Sequence, residues 1–133
     1  MTLTQAAVDE ITTHAKAEYP KEACGIIAGQ RGVGSRVFRM RNADASPISY
    51  TMEPKEQLQV MKQMRVEELE MLAIYHSHTA TPAYPSPTDV KLATYPEASY
   101  VLVSLKNQAQ PEVKSYRIVE GAVTPEPLEV VHG

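Results

Sequence analysis

Apolar residues recur along this chain with two periods. Val8, Ile11, Ala15 and Tyr19 repeat at the spacing of one helical face, and Thr4 stands where a capping residue would start that helix. The helix is expected to run to about Glu18 and to stop at Tyr19-Pro20, because a residue before proline avoids the helical region. Gly25-Ile26-Ile27-Ala28-Gly29 reads as a short apolar strand, and Gln30 to Ser35 as a turn. Val37 to Arg41 alternates apolar and basic residues, as a half-exposed strand would. Asn42 to Ser49 reads as a loop and Tyr50-Thr51-Met52 as a short extended piece. Pro54 then opens a second helix to about Arg65, with Leu58, Met61 and Met64 on its inner face.

The second half follows the same logic. Met71-Leu72-Ala73-Ile74 is a continuous apolar run, the mark of a buried strand, and it leads into a polar loop. Pro87 sits where a first helical residue would, with Val90, Leu92 and Ala93 continuing a short helix. Tyr100 to Val103 is another buried strand, and Lys106-Asn107-Gln108 starts a turn. Val113 to Val119 alternates as a strand, Glu120-Gly121 turns, and Ala122-Val123 begins the return. Pro125 and Pro127 confine that last piece to an edge. The order α-β-β-α-β-α-β-β-β predicts an α/β (mixed α+β) fold, a mixed sheet flanked by helices, with residues 1–133 as one domain.

Composition narrows the function classes. A chain of 133 residues, 43% hydrophobic and 22% charged, can bury one core without staples. Its net charge of −3 gives no support to a nucleic-acid or anionic-membrane surface. No apolar run approaches the ~20 residues of a spanning helix. Asp9 and Glu10 stand where a secretory signal would have its apolar core, so a cytoplasmic protein is expected. The single cysteine, Cys24, agrees with a reducing compartment.

Candidate chemistry gathers between Tyr75 and Asp89. His76 and His78 are two residues apart, so on a strand both imidazoles reach the same face. Asp89 falls in the first turn of the helix that begins at Pro87. Two imidazoles and a carboxylate supply three ligands and leave a fourth position for water, the arrangement of a catalytic zinc. Ser86-x-x-Asp89 also has the form of a capping box, and the two readings are compatible, since a capping serine would help fix Asp89. Taken alone, Glu22 reads as a solvated residue ahead of a strand. Cys24 reads as a small buried hydrophobe rather than a nucleophile, and His14 as structural or exposed. Arg36, Arg39 and Arg41 read as a solvated strand face.

His76-x-His78, a gap of seven residues, then Ser86-x-x-Asp89, with Glu22-Ala23-Cys24-Gly25 upstream, resembles the signature of the JAMM (MPN+) metallopeptidases. The likeness covers most of the chain. It implies the MPN fold and one zinc per chain, with a bound water, held by His76, His78 and Asp89. It also implies Glu22 as the catalytic group that holds the water and shuttles its proton, and Ser86 as donor to the oxyanion. The loop Thr79 to Pro85 is expected to border the substrate cleft.

Tyr75 to Thr94, Tyr100 to Ser104 and Ser115 to Val123 look similar to bacterial members that release cysteine from the C-terminus of a ubiquitin-like sulfur-carrier protein. That likeness implies such a carrier as partner and a place in cysteine biosynthesis. The length leaves little room for the insertions that help relatives bind a second ubiquitin, which favours a small leaving group. Two alternatives stand beside it: an isopeptidase that removes a ubiquitin-like protein from target lysines, and a non-catalytic MPN scaffold. Every motif position is filled, which argues against the scaffold. A homodimer stays open.

Overall fold

The computed structural model describes residues 1–132. In chain order the elements are β1 (Thr2–Thr4), α1 (Gln5–Glu18), β2 (Cys24–Gln30), β3 (Val33–Met40), α2 (Pro54–Val66) and β4 (Glu70–His78). They continue with α3 (Pro87–Leu92), β5 (Ser99–Ser104), β6 (Glu112–Val119), β7 (Ala122–Glu126) and β8 (Glu129–Val131). The strands form one mixed sheet in the order β7-β6-β5-β4-β2-β3-β1-β8. β4 runs parallel to β5, and β1 runs parallel to both of its neighbours; the other pairs are antiparallel. This is the mixed α/β architecture that the alternating pattern predicts.

β4 lies in the middle of the sheet, between β5 and β2, and has apolar neighbours on both faces. Ala73 and Tyr75 point into a core with Leu3, Ile11, Ala15, Ile27, Val101 and Val103, beneath α1. Ile74 points the other way, into a cluster with Tyr100, Leu102, Tyr116 and Ile118. Strand parity then puts His76 and His78 on the Ile74 face, and Ser77 on the Tyr75 face. The register sets His76 between Cys24 of β2 and Leu102 of β5.

Helix α1 begins as expected, with Thr4 Oγ1 accepting the Ala7 N–H at 3.1 Å. Ile11 and Ala15 are buried, whereas Tyr19 ends the helix and is exposed. His14 is structural: it is buried, and its Nδ1 lies 2.7 Å from the Tyr75 hydroxyl. The basic residues of β3 face outward; Arg39 makes a forked pair with Glu10 at 2.9 and 3.0 Å. No helix among the described residues is long and apolar enough to cross a membrane.

Several expectations need correction. β1 and β8 add two strands that the periodicity does not show, because three residues are too few to display a period. The turn after Gly29 is shorter than Gln30 to Ser35. Arg31 and Gly32 both have positive φ, which closes a tight hairpin, so Gln30 belongs to β2 and Val33 to Ser35 to β3. Leu58 is exposed; Val60, Met61 and Met64 are the α2 residues that meet Ile26 and Phe38. Pro125 does lie on the sheet edge, within β7.

Gly25 shows how tightly β2 is packed. A Cβ there would lie 2.5 Å from the Phe38 carbonyl oxygen and 2.5 Å from the Tyr75 ring. Gly25→Ala is therefore expected to destabilise the fold by about 1–3 kcal/mol, the usual cost of overpacking, read as a lower urea midpoint with an unchanged m-value.

Candidate active site

β4 delivers both histidines to its C-terminal end, and the short helix α3 brings the carboxylate to them. Ser86 caps α3. Its Oγ accepts the Asp89 N–H at 3.1 Å, and its own N–H donates to Asp89 Oδ2 at 2.8 Å, a complete capping box. The same Oδ2 lies 3.0 Å from His76 Nε2 and 2.9 Å from His78 Nε2, and the two nitrogens are 3.2 Å apart. The cap and the cluster are thus one structure. His76, His78 and Asp89 are all withdrawn from solvent, with side chains 1%, 5% and 8% exposed.

The protonation pattern bears on what this cluster holds. His78 Nδ1 lies 2.9 Å from the Pro82 carbonyl, which can only accept, so the proton sits on Nδ1. In neutral His78 the Nε2 lone pair then faces a carboxylate oxygen, an arrangement that repels unless a proton or a cation stands between them. A tetrahedral ion with bonds of ~2.0–2.1 Å would separate its donors by ~3.3–3.4 Å. The observed separations lie just inside that, and the donor set fits a small divalent ion. His76, His78 and Asp89 also form a potential metal-binding group by proximity.

The titration shifts follow from the same contacts. Burial alone would raise the Asp89 carboxyl, but His76, His78 and the Ser86 N–H hold it far below the usual carboxylate range. Burial lowers His76. Burial would also lower His78, yet Asp89 and the Pro82 carbonyl together raise it.

Glu22 sits two residues ahead of β2 and is only 4% exposed, so it is not the solvated loop residue that its position alone suggests. Its Oε1 is buried without a hydrogen-bond partner. Desolvation pushes its pKa up to about 8, with His78 opposing and Asp89 adding to the rise. It shares a cleft of about 180 Å³ with His78, Ser86, Pro47, Ile48 and Thr79 to Thr81. Of the loop Thr79 to Pro85, the first three residues therefore border the cleft. Pro82 anchors His78, Ala83 and Pro85 are buried, and Tyr84 turns outward against Tyr116.

Cys24 is fully buried opposite His76, its thiol pushed up to about 12 by burial, and behaves as a small hydrophobe. Sequence reasoning missed Tyr50, whose ring stacks on His76 with centroids 4.5 Å apart and planes at 24°. It also missed Ser77, whose Oγ accepts the Ala23 N–H at 2.7 Å and ties the Glu22 segment to β4. Neither contact has a local sequence signal, because each joins residues more than twenty positions apart.

The family described as prokaryotic homologs of the JAB domain matches residues 4–119. The CysO-cysteine peptidase of Mycobacterium tuberculosis is 50% identical over 126 residues, 93% of this chain and 86% of that one. A probable TtuB-protein conjugate cleaving protease of Thermus thermophilus is 42% identical over 89 residues, 66% of this chain and 60% of that one. The solution structure of a Desulfitobacterium hafniense protein, 38% identical, superposes with a TM-score of 0.91 over 99% of this chain and 93% of its own. The chain belongs to the family of prokaryotic homologs of the JAB domain and is a hydrolase of peptide or isopeptide bonds.

The buried Glu22 makes the metal-free protein sensitive to pH. Its folded pKa of about 8 lies above its ordinary 4.5, so the folded chain keeps a proton that the unfolded chain releases. That contribution to stability is fully present below about pH 4.5 and is lost as pH rises through about 8. In chelator-treated protein, melting temperature is expected to fall over this window more steeply for wild type than for Glu22→Gln. Parallel curves would show that Glu22 keeps its ordinary pKa.

Proposed function

We propose that this protein is a zinc-dependent peptidase that cleaves the bond joining the C-terminal glycine of a ubiquitin-like sulfur-carrier protein to cysteine. It would thereby release cysteine for biosynthesis in the cytoplasm. The observation that carries the peptidase reading is the convergence of His76 Nε2, His78 Nε2 and Asp89 Oδ2 within 3.2 Å, with buried Glu22 in the adjoining cleft. The substrate reading is supported by the M. tuberculosis relative, half identical across nearly the whole chain and named for CysO and cysteine.

On this reading His76, His78 and Asp89 hold the zinc. A zinc bound by these three side chains would supply a water with its pKa lowered from about 15.7 towards ~7 and a Lewis acid for the scissile carbonyl. The chain's own residues supply the rest. Glu22 takes a proton from the attacking water and returns it to the leaving amine, a task suited to a carboxylate that burial has moved towards neutrality. Ser86 Oγ already accepts from the Asp89 N–H, which leaves its hydroxyl proton free to donate to the carbonyl oxygen as charge develops. The bond from His78 Nδ1 to Pro82 keeps the other ring nitrogen available as a ligand. Pro47, Ile48 and Thr79 to Thr81 wall a cleft narrow enough for an extended, glycine-rich tail.

A second reading, an isopeptidase that frees a ubiquitin-like protein from target lysines, is supported by the name of the T. thermophilus relative. The two readings differ in the leaving group. Zinc-loaded protein is expected to remove the cysteine from a carrier extended by one cysteine beyond its final glycine, and to leave a carrier–lysine isopeptide intact. Mass spectrometry reads both, and the reverse result would transfer the assignment to the isopeptidase.

The residue roles are tested separately. Glu22→Gln is expected to lower kcat by ~10²–10⁴-fold with zinc retained, and Ser86→Ala by ~10²–10³-fold. Asp89→Ala should lose its zinc in native mass spectrometry while remaining folded by circular dichroism. A wild type that takes up no zinc would leave Ser86 and Asp89 as a helix cap and sink the metallopeptidase reading.

A further inference from the structure

Asn42, just beyond β3, spends its whole side chain on the surroundings of Glu22. Its Nδ2 donates to the Glu22 carbonyl at 3.1 Å and to the Ser49 carbonyl at 2.9 Å. Its Oδ1 accepts the Asp44 N–H at 3.0 Å and the Thr51 N–H at 3.1 Å. A primary amide has two N–H groups and one oxygen with two lone pairs, so every capacity is filled. One orientation alone satisfies them, because two carbonyls face the nitrogen and two N–H groups face the oxygen.

The same loop reaches Glu22 from its other side, where the Glu22 N–H donates to the Ser46 carbonyl at 2.9 Å. One residue further on, Ala23 is fastened to Ser77 by bonds of 2.7 and 3.0 Å. The Glu22 main chain is therefore held between the 42–51 loop and the residue that separates His76 from His78. Its carboxyl, by contrast, has an Oε1 without any polar partner. An acid group with so little to hold it takes its direction from its backbone.

We propose that Asn42 is a positioning residue for the hydrolysis. By holding the Glu22 and Ser49 carbonyls in one frame, it aims the Glu22 carboxylate towards the His76–His78–Asp89 cluster. The inference rests on the reading of Glu22 as proton carrier. A group displaced by ~1 Å in such a site can cost on the order of 10²-fold in rate.

Asn42→Asp separates this role from loop shaping. It can still accept from Asp44 and Thr51 but can no longer donate to the Glu22 and Ser49 carbonyls. Asn42→Ala removes all four bonds. Both are assayed with zinc-loaded protein on a carrier extended by a C-terminal cysteine, beside wild type and Glu22→Gln. The expected result is one zinc per chain, a folded circular dichroism spectrum for Asn42→Asp, and kcat lower by ~10–100-fold with KM within about threefold. A merely structural residue would lower the melting temperature without dividing kcat from KM in this way.

Wild-type kcat in Asn42→Asp would overturn the proposal, as would a loss confined to KM. Loss of zinc, or an Asn42→Asp chain that does not fold, would make Asn42 a metal-site or folding residue and overturn it as well. If Glu22→Gln turns over at the wild-type rate, the reading of Glu22 has failed. If Glu22→Gln is inactive while Asn42→Asp is not, only the inference about Asn42 has.

Discussion

One carboxylate oxygen, Asp89 Oδ2, joins helix formation to chemistry. It accepts the Ser86 N–H that starts α3, and the same atom faces both histidine nitrogens at the end of β4. A six-residue helix is too short to be stable by propensity alone, so its cap matters more than it would for a long one. The cap in turn fixes where the carboxylate points. Loss of Asp89 would therefore act on the helix and on the cluster together, leaving Val90 and Ala93, which pack on the Ile74, Tyr100 and Leu102 cluster, to hold α3 against the sheet.

The second constraint is desolvation. His76, His78, Asp89 and Glu22 are withdrawn from water together, and each responds according to the partners it keeps. Asp89 has two imidazoles and a backbone N–H and stays ionised; Glu22 has an oxygen with no partner and holds its proton well above the usual range. Two acids in one site are thus driven apart in pKa, one suited to binding a cation and the other to carrying a proton. The floor beneath them is largely apolar. Cys24 and Leu102 flank His76 in the sheet, and the Tyr50 ring covers its face.

Much of this was legible in the residues. The helices, the buried central strand and the edge strand with Pro125 all follow from period and from proline, because both act within a few residues. The pairing of His76 with His78 is a consequence of strand parity, and the capping box of Ser86 and Asp89 is written in four consecutive positions. What the pattern missed is short or remote. β1 and β8 exist because the sheet offers them an edge, not because three residues prefer to be extended. Leu58 has the right spacing for an inner face but lies on the side of α2 that the sheet does not cover.

Sequence alone determined the identity and order of the chemical groups: two imidazoles two residues apart, a capped aspartate eleven residues after the second, and a glutamate far upstream. These depend on covalent spacing and on local hydrogen bonds, which any reading of the chain can follow. Only the tertiary structure decided that Glu22 is buried rather than solvated, and that Tyr50 lies on His76. It also set the main-chain contacts of Glu22, with Asn42 and Ser46 on one side and Ala23's bond to Ser77 on the other. Burial and non-local hydrogen bonds are properties of packed surfaces, and a surface exists only after distant segments have met.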